Sequence, residues 1–274
     1  MFKRTLLSVF VLSSLIAGCM APNAVSVRPR TPARVVAKAI PAGYYAQAEG
    51  LQGQALLSAL NAIVVKHTDL GYDHARDVMF GQVDDLDNDD AVIGVYSGKI
   101  GEAITDRRTA MDRAHMNAEH TWPQSKGAEG VAKADLHHLF PADADVNSKR
   151  SSFPFGEVAN VQWTAPDQGG TGETSRLGTN TQGVTVWEPR NSEKGNVARA
   201  LLYFYTCYAI NQSSKPSLDN FTVELPVLLK WHAQDPVDDK ERARNDAVFQ
   251  AQGNRNPYID HPEYFAEVGV VPTR

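Results

Sequence analysis

His115-Met116-Asn117-Ala118-Glu119-His120-Thr121-Trp122-Pro123, followed by Ala134-Asp135-Leu136-His137-His138-Leu139-Phe140-Pro141 and Asp145-Val146-Asn147-Ser148-Lys149-Arg150, is the stretch from which the fold is read. His120 is expected to end one strand, Leu136 to Phe140 to form the returning strand, and Asp145 to Ser152 to open a short helix. That arrangement is a two-strand, one-helix finger with room for a metal between strand and helix. A zinc-peptidase reading of His115 and Glu119-His120 fails on geometry. Its two histidines must lie four apart, whereas these lie five apart, about 140° around a helix at roughly 100° per residue. Pro123 would also end such a helix at once. A structural zinc site lacks the cysteine partners and regular spacing it needs.

The same residues suit phosphodiester hydrolysis. That reaction needs a base for the attacking water, a cation for charge on the phosphoryl and leaving oxygens, and contacts that position the backbone. Glu119 and Asn147 supply hard oxygen ligands of the kind Mg²⁺ prefers, and one charged ligand leaves the ion net positive. His120 suits the base, because a near-neutral imidazole pKa leaves it largely unprotonated at working pH. Lys149 and Arg150 follow the amide ligand directly, where they could grip phosphate oxygens.

Outward from this centre, Leu56, Leu60, Ile63 and Val64 fall at helical spacing and predict a helix over about Leu51 to Lys66. Ala91 to Tyr96 reads as a strand ending in a Ser97-Gly98 turn, and Gly183 to Trp187 as another. Residues 164 to 183, rich in Gly, Thr and Gln, are expected to form a surface loop. Val197 to Tyr208 is apolar around most of its circumference and predicts a central helix. Glu224 to His232 and Val237 to Gln252 are further helices, the last with Asp238 and Asp239 at its start and Gly253 past its end. Asp85, Asp87 and Asp89 partly match a calcium loop, but the sixth-place Gly is missing and Tyr96 stands where a Glu should; a solvated turn is expected. Helices around a few short strands indicate an α+β fold, mainly helical with a small sheet.

The net charge of −5 argues against a protein that coats nucleic acid with basic surface, though not against an enzyme with a local basic patch and a metal. Lys3 and Arg4, then the apolar run Leu6 to Ile16, form an export signal too short to span a bilayer. Its ending, Leu15-Ile16-Ala17-Gly18-Cys19, resembles the lipobox of bacterial lipoproteins, in which the Cys carries lipid. Residues 1–18 are thus expected to be removed, residues 19–40 to form a tether from Cys19, residues 41–268 to form the globular domain, and residues 269–274 a tail. Cys207 then remains as a buried thiol, with no intramolecular disulfide.

Taken together, Glu119-His120-Thr121-Trp122-Pro123, Asp135 to Pro141 and Val146 to Arg150 resemble the bacterial endonuclease I family, a ββα-metal (His-Me finger) group. Tyr44-Tyr45, residues 51 to 68, Trp187-Glu188-Pro189-Arg190, Lys194-Gly195, Ala198-Arg199-Ala200 and Gly253 to Pro257 extend the likeness over about residues 41 to 265. The resemblance implies His120 as general base, with Glu119 and Asn147 holding one divalent metal, Mg²⁺ before Mn²⁺ or Ca²⁺. It also implies endonucleolytic cleavage of DNA, and often of RNA, leaving 5′-phosphate ends. The disulfides of some periplasmic members cannot form here. Phosphate contacts are assigned to Arg150 and Lys149, then to Arg190, Lys194 and Arg199. Asp135, His137 and His138 are assigned supporting roles; adjacent strand residues point to opposite faces, so at most one of the two histidines can face a metal. The expected whole is a monomeric, envelope-anchored enzyme whose partners are nucleic acid and the membrane. The competing reading is a noncatalytic envelope lipoprotein that binds DNA or a protein, and a third is a phosphodiesterase for small molecules.

Overall fold

The computed structural model describes residues 38–210 and 216–270. The segment read as an export signal, Cys19 and nearly all of the expected tether lie outside the described residues. The chain opens with α1 (Gly53–Val64) and α2 (Tyr72–Val78), the latter prolonged by a π turn, Met79–Val83. A two-stranded ribbon follows, β1 (Val92–Ile93) with β2 (Ile100–Gly101), turning at Gly98 with φ +67°. Next come α3 (Arg107–Ala114), β3 (Met116–His120), β4 (Leu139–Asp143) and α4 (Ala144–Arg150). A three-stranded antiparallel sheet, β5 (Asn160–Thr164), β6 (Arg176–Thr179) and β7 (Thr185–Glu188), precedes α5 (Lys194–Phe204), which a second π turn carries to Ala209. The chain closes with α6 (Asp219–Gln234), α7 (Asp239–Gln252), α8 (Pro257–Asp260) and α9 (Tyr264–Glu267). This is an α+β fold. No helix among the described residues is long and apolar enough to cross a membrane.

Two hydrophobic clusters hold the fold, and the β3–β4 hairpin is wedged between them. The larger is built on α5, whose Val197, Leu201, Leu202 and Phe204 are all buried against α1, α6 and the three-stranded sheet. The smaller gathers Val78, Phe80, Val92, Ile104 and Val248. Leu139 belongs to the smaller cluster and its neighbour Phe140 to the larger, because successive strand residues face opposite sides. That explains why all five residues of β4 are buried. The register pairs Glu119 with Phe140 and His120 with Leu139.

The hairpin runs into α4 because Asp143 is a helix cap. Its side chain accepts from the backbone N–H groups of Asp145 and Val146, both at 3.0 Å. The returning strand begins three residues later than expected, at Leu139, since Asp135 to His138 form a tight turn in which the Asp135 carboxylate accepts from the His137 N–H. The stretch 164–183 is not all loop: β6 lies within it, paired on both edges. At the other end of the chain, α7 is capped by Asp238 and stops at Gly253, φ +89°, as its sequence signals require.

Candidate active site

Glu119 and His120 are the last two residues of β3, and Asn147 sits at the middle of α4. All three line one open cavity of about 520 Å³, together with Tyr72, Asn117 and Arg150. The finger thus brings into one cleft the side chains that the sequence nominated as metal ligands and base. Lys149, also on α4, is exposed, with its ammonium 5.8 Å from the Trp163 ring.

Glu119 is buried, which alone would push its pKa up, and the upward direction is the net result. Three contacts oppose it: the Arg150 guanidinium, the Tyr96 hydroxyl donating to Oε1 at 2.7 Å, and the His120 backbone N–H. Arg150 Nε lies 3.3 Å from Oε1 as an ion pair, without the alignment of a hydrogen bond. The remaining nitrogens of Arg150 are taken by backbone carbonyls, Nη1 by Ser151 and Nη2 by Thr121. Its guanidinium also lies 4.4 Å from the Phe155 ring.

His120 is fixed by its backbone surroundings. Its Nε2 lies 3.1 Å from the Lys133 carbonyl, which can only accept, so Nε2 carries the proton and Nδ1 keeps its lone pair. The Gln124 amide makes a loose hydrogen bond to Nδ1, at 3.4 Å. Burial, reinforced by His138 and by the charges of Lys133 and Arg150, lowers the His120 pKa to about 3. The ring is therefore neutral at physiological pH.

Asn147 Nδ2 donates to Asn117 Oδ1 at 2.8 Å and to the Ala118 carbonyl at 3.4 Å. Those contacts orient the amide and leave Oδ1 without a protein partner among the described residues. Asn117, two residues before Glu119 on the same strand face, was not singled out in the sequence; strand alternation was the available signal. Tyr96, Gln124, Tyr72 and Arg76 were missed as well, because they approach from segments whose placement only the fold supplies.

Other expectations are corrected by burial. Arg190, Lys194 and Arg199 stand away from this cleft in buried ion pairs, with Glu193 at 2.6 Å, Glu188 at 2.7 Å and Glu241 at 2.6 Å respectively. They are structural cations rather than phosphate contacts. His138 donates from Nε2 to the Ala132 carbonyl at 2.6 Å and packs edge-on to the His120 ring, 5.4 Å away. His137 donates to the Asn254 carbonyl and lies against Tyr203. Neither lines the cleft. Asp135 is a buried hub: Oδ2 accepts from Tyr203 at 2.7 Å and Tyr208 at 2.8 Å, while Oδ1 accepts from Gln252 at 2.8 Å. Desolvation would raise its pKa, but the neighbouring His137, His67 and His138 and the Gln252 hydrogen bond hold it well below the usual carboxylate range. Trp122 is buried and stacks on Phe204, tying the loop after His120 to α5. Trp187 is likewise buried, whereas Trp163 is half-buried. Asp85 uses its carboxylate to accept from the Asp89 and Asp90 N–H groups, so the acidic cluster is a capped turn.

The model of the endonuclease I family matches residues 52–263, well over half of the sequence. The chain belongs to the endonuclease I family. It is an endonuclease, a hydrolase of phosphodiester bonds, which sets aside the noncatalytic reading. Among its relatives is an extracellular ribonuclease of Bacillus amyloliquefaciens, 36% identical over 238 residues, covering 82% of this chain and 77% of that one. The corresponding extracellular ribonuclease of Bacillus subtilis is 35% identical over the same shares. An extracellular deoxyribonuclease of Aeromonas hydrophila is 29% identical over 129 residues, 47% of this chain and 49% of its own length. For this endonuclease, the shared segment therefore extends well beyond the finger.

Proposed function

We propose that the endonuclease is metal-dependent and largely sequence-nonspecific, cutting DNA and RNA to leave 5′-phosphate ends, with His120 as general base and Glu119 and Asn147 as metal ligands. The observation that carries this reading is the convergence of the three side chains on one cleft, with the His120 tautomer set by the Lys133 carbonyl. The relatives named as a ribonuclease and a deoxyribonuclease support both sugars, since water as nucleophile requires no 2′-hydroxyl.

The Glu119 carboxylate and the Asn147 Oδ1 suit a hard divalent cation: both are oxygen donors, one is charged, and the open cleft has space for water ligands. When bound there, Mg²⁺, or Mn²⁺ or Ca²⁺ in its place, supplies positive charge to the phosphoryl and departing 3′ oxygens. His120 Nδ1 accepts the proton of the attacking water, which displaces the loose Gln124 contact. The phosphate's own negative charge beside the ring raises its proton affinity from the low value that burial imposes. Arg150 opposes the upward pull that burial exerts on the Glu119 pKa and adds a fixed positive charge to the cleft wall.

Plasmid nicking tests this directly. EDTA should abolish it and Mg²⁺ restore it, while His120→Ala should lower the rate by about 10²–10⁴, the usual contribution of a general base. Wild-type rates for His120→Ala on supercoiled plasmid, single-stranded DNA and RNA would overturn the assignment. A chain that cleaved a chromogenic phosphodiester but left plasmid intact would be the small-molecule enzyme instead. Export is supported by the extracellular relatives. Lipidation at Cys19, with residues 19–40 as tether, is our reading of Leu15 to Cys19. Mass spectrometry of the detergent-extracted protein should find an acylated N-terminal Cys, and an unmodified Cys19 would refute it.

A further inference from the structure

The cleft's second wall carries a guanidinium that the described residues engage only in part. Tyr72 and Arg76, one turn apart on α2, line the same cavity as His120. The Tyr72 ring lies 5.5 Å from the His120 ring. Two cations rest on Tyr72: the Arg76 guanidinium, 4.2 Å from its centroid, and the Lys133 ammonium, 4.3 Å away. Of the two arginines on the cleft wall, Arg150 is committed to backbone carbonyls and Glu119. Arg76 spends only Nη2, on Asp73 at 2.5 Å. Asp73 is 68% exposed, so that pair is weak. Arg76 Nε is buried with no partner, and Nη1 has none among the described residues. Lys133 likewise has no acidic partner there, and its own carbonyl orients the base.

Cations stacked on an aromatic face keep their charge and are held in direction, because the ring attracts them without neutralising them. A planar guanidinium with unused donors matches the oxygens of a phosphodiester. We propose that Arg76, held on Tyr72 alongside Lys133, grips a backbone phosphate of the substrate strand neighbouring the scissile one, on the His120 side of the cleft. This rests on the nuclease reading above and adds substrate contacts from α2 to those assigned to the basic residues after Asn147.

The test is equilibrium binding of a short fluorescein-labelled single strand and of the matching duplex to the His120→Ala protein in EDTA, across a salt series. Each lost phosphate contact reduces the slope of log K against log salt by about 0.9 on duplex and about 0.7 on single strand. Arg76→Met should show that reduction and raise Kd about threefold or more, while Arg76→Lys should keep most of the slope. In the His120-intact enzyme, Arg76→Met should raise KM more than it lowers kcat. A structural role would instead lower the melting temperature and leave the slope alone. Should Arg76→Met fail to fold, Lys133→Met on the same ring supplies the slope measurement. A folded Arg76→Met protein with an unchanged slope overturns the proposal. Failure of the nuclease reading would look different: His120→Ala would still nick plasmid at the wild-type rate.

Discussion

Asp135→Asn separates a structural hub from a catalytic carboxylate. Asp135 is fully buried and accepts four hydrogen bonds, two from tyrosine hydroxyls at Oδ2 and two from Gln252 and the His137 N–H at Oδ1. An amide keeps an acceptor for the last two but presents an N–H₂ to Tyr203 and Tyr208. The hydroxyls can rotate to accept it, although Tyr203 already receives the Asn254 amide at 2.7 Å. Two hydrogen bonds to a charge, each contributing about 1.5–3 kcal/mol, are thereby exchanged for neutral ones of about 0.5–1.5 kcal/mol. The expected loss is about 2–3 kcal/mol, a large share of the roughly 5–15 kcal/mol that holds a typical domain folded. Urea unfolding at pH 7 should show a lower midpoint with an unchanged slope. The folded fraction, assayed well below its new midpoint, should keep kcat/KM within about tenfold of wild type, far from the His120→Ala loss. An unchanged midpoint with activity reduced as severely as by His120→Ala would place Asp135 in the chemistry and refute the hub.

Arg199→Met strands the buried Glu241 carboxylate, so it should cost about 3–5 kcal/mol in urea unfolding while leaving the salt slope of DNA binding unchanged. Burial holds His137 near pKa 4 in the fold against about 6.5 unfolded; the unfolded chain binds more protons between those values. Stability should therefore fall as pH drops from about 6.5 to 4, by about 3 kcal/mol from this residue, and His137→Gln should flatten that slope in urea midpoints taken across the window. Gly195→Ala would set its methyl 2.0 Å from the Asp235 carbonyl and against the Arg199 guanidinium, lowering stability by about 1–3 kcal/mol in the same assay. Trp122→Ala should cost about 3–5 kcal/mol, because the indole fills the space against Phe204 and Phe221.

The finger could be read from the sequence because its parts are contiguous: strand, turn, strand and helix occupy residues 116 to 150, and each boundary has a local cause. The ends of α7 were equally readable, from Asp238 and Gly253. What could not be read depends on distant partners. Arg199 meets Glu241 and Lys194 meets Glu188 only after folding, so residue type alone could not distinguish a buried counter-ion from a phosphate ligand. Likewise β6 has a loop-like composition and is a strand because β5 and β7 flank it. Tyr72 and Arg76 stand more than forty residues before His120, and an (i, i+4) pair on a short helix is ordinary until the helix is seen against the hairpin.

The hairpin that carries Glu119 and His120 contributes residues to both hydrophobic clusters, so it cannot detach without exposing apolar surface on either side. Its amides should exchange with deuterium only through whole-molecule opening, at the slow limit set by global stability. For an exported enzyme meeting proteases, a molecule that retains this centre is then a molecule still closed to cleavage there, and loss of activity on heating should track loss of the native state itself.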